Sequence, residues 1–244
     1  MYYLHDTHLH LDLYNKQIPE IIEEIEENRI FTIVVTNLPV LFEKLKTKTN
    51  SKYIHLALGF HPELVFEYKK YIDKMWAYLN ETIYIGEVGL NLKDVTPNDY
   101  HLQIHFFKKL LGLCDSLGNK VLSVHAKGSE NEILNMLPNN FNGKIIHHWY
   151  SGSLKNLDIA VNKGGYFSVN YQMLNSKKGQ MIVNRIPEDR LLLESDGPFI
   201  KINNRVFRPV DLETVASKLS SLKNIEKNRL MEILARNLNT LLNM

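Results

Sequence analysis

Short apolar runs alternate with longer amphipathic segments along most of the chain. The short runs are rich in β-branched and other apolar residues and predict eight strands, at residues 2–9, 31–36, 53–60, 82–88, 120–126, 144–149, 165–170 and 190–196. The segments between them, such as 19–30 and 98–118, place apolar residues at helical spacing. The pattern therefore predicts a regular succession of strands and helices.

This alternation indicates an α/β protein with a parallel sheet and right-handed crossovers. Eight strands in 244 residues predict a TIM-type (β/α)8 barrel, since such barrels are typically about 250 residues long. Residues 211–244 predict two extra C-terminal helices packed outside the barrel. No linker or low-complexity segment interrupts the pattern, so residues 1–244 are expected to form a single domain.

Composition excludes some classes of function and location. Lys and Arg number 29 against 27 Asp and Glu, so the chain as a whole is not a basic clamp for nucleic acid, and any action on DNA or RNA would use a local site. Cys114 is the single cysteine, which rules out a disulfide within the chain and fits a reducing cytoplasm. The sequence contains no membrane-spanning apolar stretch and no signal peptide, so a cytoplasmic location without membrane contact is predicted.

Histidines and carboxylates gather at the predicted C-terminal ends of the strands, where TIM barrels place their active sites. The strand ends read DTHLH at 6–10, GFHP at 59–62, GEVGL at 86–90, VHAK at 124–127, HHWYSGS at 147–153 and ESDGP at 194–198. A lone histidine in such a place is usually a hydrogen-bonded core or surface residue. The convergence of this whole set on one rim instead favours a metal site.

His8 and His10 alternate along one strand, so both imidazoles should face the barrel interior and reach one ion. His125 and His148 would hold a second ion. Glu87 has two carboxylate oxygens and could bridge the two ions. A donor set of imidazoles and carboxylates without thiolate suits a pair of divalent cations such as Mg, Mn or Zn.

Asp196 is expected to bind the first ion and to act as general base towards the attacking water, which makes Asp196 and Glu87 the catalytic candidates. Two ions about 3.5–4 Å apart can polarise a scissile group and lower the pKa of bound water to about 7. The competing interpretation of Asp196 is a helix N-cap before Gly197 and Pro198.

Other polar residues are weaker candidates for substrate binding. His61 could hydrogen-bond a substrate phosphate or carbonyl, or simply order its turn, and Lys127 could neutralise an anionic substrate. Arg205 and Arg208 follow the eighth strand and could bind phosphate, although solvated loop charges are an equally good interpretation. The remaining histidines are expected to be structural, namely His5, His55, His101, His105 and His147.

In this order, the motifs resemble those of the TatD family of metal-dependent deoxyribonucleases, over residues 6–237. The family patterns DTHxHL, GxHP, IGExGL, HxR, HxFSGS and E-[TS]-D-x-P correspond to residues 6–11, 59–62, 85–90, 125–127, 148–153 and 194–198. The resemblance implies the same six metal ligands, His8, His10, Glu87, His125, His148 and Asp196. It also implies phosphodiester hydrolysis that removes nucleotides from the 3′ end of DNA. We expect the DNA substrate to be single-stranded.

Several positions depart from the family pattern, and all of them are expected to contact substrate. Asn91 stands for the usual aspartate, Lys127 for arginine and Glu63 for the frequent histidine. Lysine lacks the bidentate fork with which arginine recognises phosphate. Trp149 and Tyr150 replace the commoner Cys-Phe pair, and either ring could stack on a base.

Two other functions remain open. The same barrel could hydrolyse an amide, ester or lactone, since fold and metal site do not fix the substrate. The end of the fourth strand offers Glu87 and no lysine that could be carboxylated to bridge two ions, which favours the TatD-like alternative. The chain could also be a non-catalytic, metal-bearing subunit, with protein partners in an anti-phage defence complex, as divergent TatD-like proteins accompany some defence operons.

Overall fold

A computed structural model describes residues 4–243, and within them eight parallel strands alternate with helices. The strands are β1 His5–Leu9, β2 Phe31–Val34, β3 Ile54–Leu56, β4 Tyr84–Gly89, β5 Val121–His125, β6 Lys144–His148, β7 Tyr166–Val169 and β8 Leu191–Leu193. The helices between them are α1 Ile18–Asn28, α2 Pro39–Lys46, α3 Pro62–Val65, α4 Ile72–Tyr78, α5 Pro97–Leu117, α6 Glu130–Met136, α7 Leu154–Asn162, α8 Tyr171–Asn175 and α9 Lys177–Arg185. All eight predicted strands are present, although residues 2 and 3 of the first lie outside the described residues.

After β8 the chain forms a small antiparallel hairpin and two long helices. The hairpin strands are β9 Lys201–Ile202 and β10 Arg205–Val206, and the helices are α10 Leu212–Lys223 and α11 Lys227–Leu242. The sequence pattern predicted the two helices and not the hairpin, because strands of two residues are too short to show a periodicity.

The eight strands follow one another in chain order and close into a barrel. Regular parallel pairing joins β1 to β3 and β4 to β8. Leu58, just after β3, joins the two groups, because its N–H donates to the Tyr84 carbonyl at 3.0 Å and its carbonyl accepts from the Gly86 N–H at 2.9 Å. Asp196 N–H donates to the His8 carbonyl at 3.0 Å and thereby links the end of β8 to β1. The predicted TIM-type α/β barrel is confirmed.

The barrel interior is apolar at the N-terminal ends of the strands and polar at their C-terminal ends. Alternation places Val121 on the same face as His125, and Ile146 on the same face as His148. Val121 and Ile146 belong to a buried apolar cluster that also contains Leu238 of α11. Helix α11 therefore closes the bottom of the barrel, whereas the sequence analysis expected it to pack only outside.

Close backbone approaches shorten two of the predicted strands. β3 ends at Leu56, and at Gly59 a Cβ atom would overlap the carbonyl oxygen of Thr36, which lies just after β2. β8 ends at Leu193, and the chain reaches a left-handed conformation at Asp196, with φ of 46°. Regular pairing stops at these positions because the chain bends there to present side chains at the rim.

Within residues 4–243, the structure contains no helix that is both long and apolar enough to cross a membrane.

Candidate metal centre

His8 and His10 lie at the end of β1, with both rings buried on the interior face of the barrel. Their Nε2 atoms are only 3.2 Å apart. The carboxylate of Asp196 approaches both, since its Oδ1 lies 3.8 Å from Nε2 of His8 and 3.6 Å from Nε2 of His10. These three residues bring their ligand atoms within 4.8 Å of one another, close enough to bind one cation.

Glu87, from β4, connects this group to a second one on the opposite side of its carboxylate. Its Oε2 lies 3.3 Å from Nε2 of His10. Its Oε1 faces three other imidazoles, at 2.7 Å from Nδ1 of His125, 3.5 Å from Nε2 of His61 and 3.6 Å from Nε2 of His148. Glu87 therefore has one oxygen directed at each side of the centre.

The structure brings all six predicted ligands together and adds His61 to them. Among the described residues, three groups could hold a metal ion: His8 with Glu87 and His148, His8 with His10 and Asp196, and His61 with Glu87 and His125. The sequence analysis expected His61 either to bind substrate or to order its turn, because GxHP places it at a turn and outside a strand. Its approach to Glu87 makes it a further candidate for the second ion.

The two carboxylates of the centre, Asp196 and Glu87, are buried in a way that a bound cation would compensate. Burial, and secondarily the nearby carboxylates of Glu194 and Glu87, raise the pKa of Asp196 well above its ordinary range. Burial acts in the same direction on Glu87, but the surrounding imidazoles, His61 and His10 foremost, hold its pKa well below the usual value. A divalent ion would favour the carboxylate form of both residues and would compensate for their burial.

The contact between His8 and His10 also fits a metal. Nε2 of His10 is the ring atom that approaches His8, Glu87 and Asp196, while its Nδ1 is buried without a hydrogen-bond partner among the described residues. The facing Nε2 atoms of His8 and His10 gain at most one hydrogen bond from each other, and only in one choice of tautomers. Imidazole nitrogens and carboxylate oxygens of this kind are suitable ligands for Zn, Mn or Mg.

Polar side chains behind the candidate ligands orient the rings. His148 Nδ1 lies 2.9 Å from Oε2 of Glu194, and His8 Nδ1 lies 2.7 Å from Oγ of Ser123. Each contact leaves the Nε2 atom of the ring directed at the centre, which is the usual arrangement of a carboxylate or hydroxyl behind a metal-bound histidine.

Glu194 is itself held by groups at the ends of two strands, β6 and β7. It accepts hydrogen bonds from Asn170 Nδ2 at 2.8 Å, from the Trp149 N–H at 3.1 Å and from the Ser168 hydroxyl. The sequence analysis gave no role to Ser123, Ser168 or Asn170. Alternation could have found them, because Ser123 precedes His125 by two residues and both Ser168 and Asn170 lie on the interior face of β7.

The profile of the family described as "TatD related DNase" matches residues 5–243. The chain belongs to the TatD family. It is accordingly a metal-dependent hydrolase, as predicted, and the resemblance inferred from the six motifs is confirmed.

Relatives and solved structures agree with this assignment. An uncharacterised metal-dependent hydrolase of Methanocaldococcus jannaschii is 28% identical over 241 residues, covering 95% of this chain and 94% of the relative. One from Bacillus subtilis is 25% identical and covers 96% of each chain. The crystal structure of a TatD homologue from Escherichia coli superposes with a TM-score of 0.83 at 21% identity, covering 100% of this chain and 99% of that one.

A cavity of about 680 Å³ opens onto the TatD metal centre, and four of the predicted substrate-binding residues line it. These are His61, Lys127, Trp149 and Tyr150. Trp149 is partly exposed, with a left-handed backbone at φ of 39°, a costly conformation for so bulky a residue. Tyr150 is buried and its hydroxyl donates to the Ser153 carbonyl at 2.8 Å, so it forms the wall and does not offer a free ring face.

Arg205 and Arg208 do not line the cavity, contrary to their predicted role in phosphate binding. Arg205 forms a bidentate ion pair with Asp211. Arg208 donates to Glu20 at 2.7 Å and to Glu24 at 2.6 Å, and thereby ties the segment after β10 to α1. Both guanidinium groups are neutralised by carboxylates within the chain.

Two positions that depart from the TatD pattern contact each other. The side-chain amide of Asn91 donates to a carboxylate oxygen of Glu63, and the Asn91 backbone N–H donates to Gln103 Oε1 at 3.0 Å. Glu63 also lines the cavity. The two departures therefore form one interacting pair at the wall of the site.

The histidines predicted to be structural pack away from the cavity lining. His147 points to the opposite side of β6 from His148 and stacks on Phe167, with ring centroids 5.2 Å apart. His5 is buried and its Nε2 accepts the Leu193 N–H at 3.1 Å.

Proposed function

We propose that this protein hydrolyses phosphodiester bonds at the ends of DNA strands, most readily of a single strand and from the 3′ end. The observation that carries the proposal is the position of Glu87, whose Oε2 faces His8 and His10 while its Oε1 faces three other imidazoles, those of His61, His125 and His148. Such a centre suits two divalent ions, which clamp both sides of an in-line displacement at phosphorus. The family description, TatD related DNase, supports the same reaction.

In this proposal, His8, His10 and Asp196 would hold one ion, and His125 and His148, which both approach Oε1 of Glu87, would hold the other, with His61 as a further candidate. When bound, the ions supply Lewis-acid polarisation of the phosphate and a more acidic water. Asp196 would accept the proton of the attacking water at a carboxylate oxygen, because its Oδ1 lies beside the imidazoles of both His8 and His10, where the first ion would be held.

The remaining residues of the cavity hold the substrate. Lys127 is the cationic side chain of the lining that projects into solvent, and its ammonium group can neutralise a phosphate oxygen as a point charge. Glu194 fixes the ring of His148, and Ser123 fixes that of His8. The cytoplasmic location and the protein partners in a defence complex stay predictions.

The test is digestion of DNA and RNA strands labelled at the 3′ or 5′ end, with Mg²⁺, Mn²⁺ or Zn²⁺ added to metal-stripped protein. We expect shortening of DNA from the 3′ end, lost at least 100-fold in Asp196→Asn. Asp158→Asn is the matched control, because Asp158 is a carboxylate on α7 whose side chain is 45% exposed and pairs with Arg185, and it does not line the cavity. Turnover of an amide, ester or lactone without cleavage of any nucleic acid would overturn the proposal.

A further inference from the structure

Phe199 is a large apolar side chain that the fold leaves in solvent. Its side chain is 59% exposed, although it lines the cavity over the metal centre. Its ring meets that of His10 edge to face, with centroids 5.0 Å apart and an interplanar angle of 84°. The proposed chemistry assigns no role to this ring, and packing does not require it, because most of its surface contacts no other side chain.

The rings at the centre form a continuous row that ends in Phe199 on one side and Trp149 on the other. His8 stacks on His148 at 3.7 Å between centroids and meets His10 at 5.0 Å. His148 in turn meets Trp149 at 6.4 Å. Phe199 is therefore in direct ring contact with His10, a candidate metal ligand, next to the place where a scissile phosphodiester would be held.

The turn that carries Phe199 is tightly fixed. The Phe199 N–H donates to the Asp196 carbonyl at 3.0 Å. At Gly197, between these residues, an added Cβ would overlap the hydroxyl of Tyr14. The ring is thus held at a set position relative to Asp196, the residue that takes the proton in the proposed reaction.

The charged residues around the cavity provide few contacts for the phosphates of a nucleic-acid strand. Glu63 and Glu130 line it together with Lys127. Arg205 and Arg208 are paired elsewhere. A strand of nucleic acid would therefore gain affinity from the ions and from apolar contact, more than from a basic groove.

We propose that Phe199 is the stacking platform for the nucleobase adjoining the scissile bond, and that the preferred substrate is an unpaired strand end. A flat, exposed ring without polar atoms matches the face of a base, and stacking of this kind tolerates any base sequence. Bases inside a duplex are already stacked and paired, so only an unpaired terminus can offer that face. This inference rests on the proposed function, because it assumes that the hydrolysed bond is a phosphodiester of a nucleic acid.

The experiment compares two single-stranded DNA substrates that differ at one nucleotide. The terminal nucleotide at the attacked end carries either a base or a tetrahydrofuran abasic unit, while the phosphodiester is unchanged. Wild type should show a kcat/KM roughly 5- to 150-fold higher on the strand with the base, the range that stacking of one base corresponds to. Phe199→Ala should reduce this preference to near one without slowing the abasic strand, and Phe199→Tyr, which keeps the ring, should retain it.

Met181→Ala is the matched control, since Met181 is an exposed apolar side chain on α9, 61% exposed, that does not line the cavity. Equal rates of wild type on both strands, or an equal loss on both in Phe199→Ala, would overturn the stacking role while leaving the nuclease function intact. If wild type cleaves neither strand with any of the three metals, the proposed function fails and the stacking role fails with it.

Discussion

Asn91 and Glu63 form a donor–acceptor pair at the wall of the cavity. This contact limits which combinations of residue types are compatible at positions 63 and 91. The amide of Asn91 donates to the Glu63 carboxylate, and Asn91 is 9% exposed. A carboxylate at position 91, as in the TatD pattern, would face Glu63 with two acceptors, two negative charges and no proton between them at neutral pH. The histidine that the family often has at position 63 would remove this conflict.

Asn91→Asp is therefore expected to lower the free energy of unfolding by about 1–3 kcal/mol at pH 7, because a hydrogen bond is replaced by repulsion between like charges. Adding Glu63→Gln should recover most of this loss, since a glutamine amide can donate to the new carboxylate. Urea denaturation of the four variants of this cycle measures the coupling. Strictly additive effects of the two substitutions would show that the contact contributes nothing.

The C-terminal ends of β6, β7 and β8 meet at Glu194, which follows β8 and accepts hydrogen bonds from groups at the ends of β6 and β7, among them His148, Ser168 and Asn170. Glu194→Gln preserves the size of the side chain but replaces one acceptor oxygen by a donor and removes the charge behind His148. We expect metal affinity to fall about 10- to 100-fold, the usual effect of losing the group behind a ligating histidine. Titration of metal-stripped protein followed by calorimetry measures the change.

Glu188→Gln is the matched control for this substitution, because Glu188 lies exposed just before the other end of β8. Its metal affinity should equal that of wild type. An unchanged affinity in Glu194→Gln would mean that His148 is oriented by its packing on His8 and not by the carboxylate.

The strands and the predicted ligands could be read from the sequence because both depend on local periodicity. Alternation places His8 and His10 on one face, and the strand-end rule brings Glu87 to the same rim. The ion pairs of Arg208 depend instead on partners brought close by the fold, because Glu20 and Glu24 are more than 180 residues away from it in the chain. Periodicity carries no information on such pairs.

Phe199 and α11 show that the positions of apolar residues, too, cannot always be predicted from the sequence pattern. An apolar side chain is expected to be buried, so the exposure of Phe199 could not be read from its type. The amphipathic pattern of α11 predicts a helix with one buried face but does not say whether that face covers the outside of the barrel or closes its lower end. In both cases the three-dimensional position of the element determines which apolar side chains are buried and what they contact.

At the scale of the whole molecule, the net charge of +2 and the pairing of Arg205 and Arg208 predict weak dependence of DNA binding on salt. With Lys127 as the one cation of the cavity lining, about one phosphate is neutralised, and the slope of log affinity against log salt is about −0.7 for a single strand. The KM for single-stranded DNA should then rise only about threefold between 50 and 200 mM KCl.

Lys127→Gln should remove most of this rise in KM. Lys201→Gln should leave the rise unchanged, because Lys201 is an exposed lysine of β9 outside the cavity lining. A rise of a hundredfold or more would instead require an extended basic surface that tracks the strand, and it would shift the main source of affinity from the stacked base to the phosphate backbone.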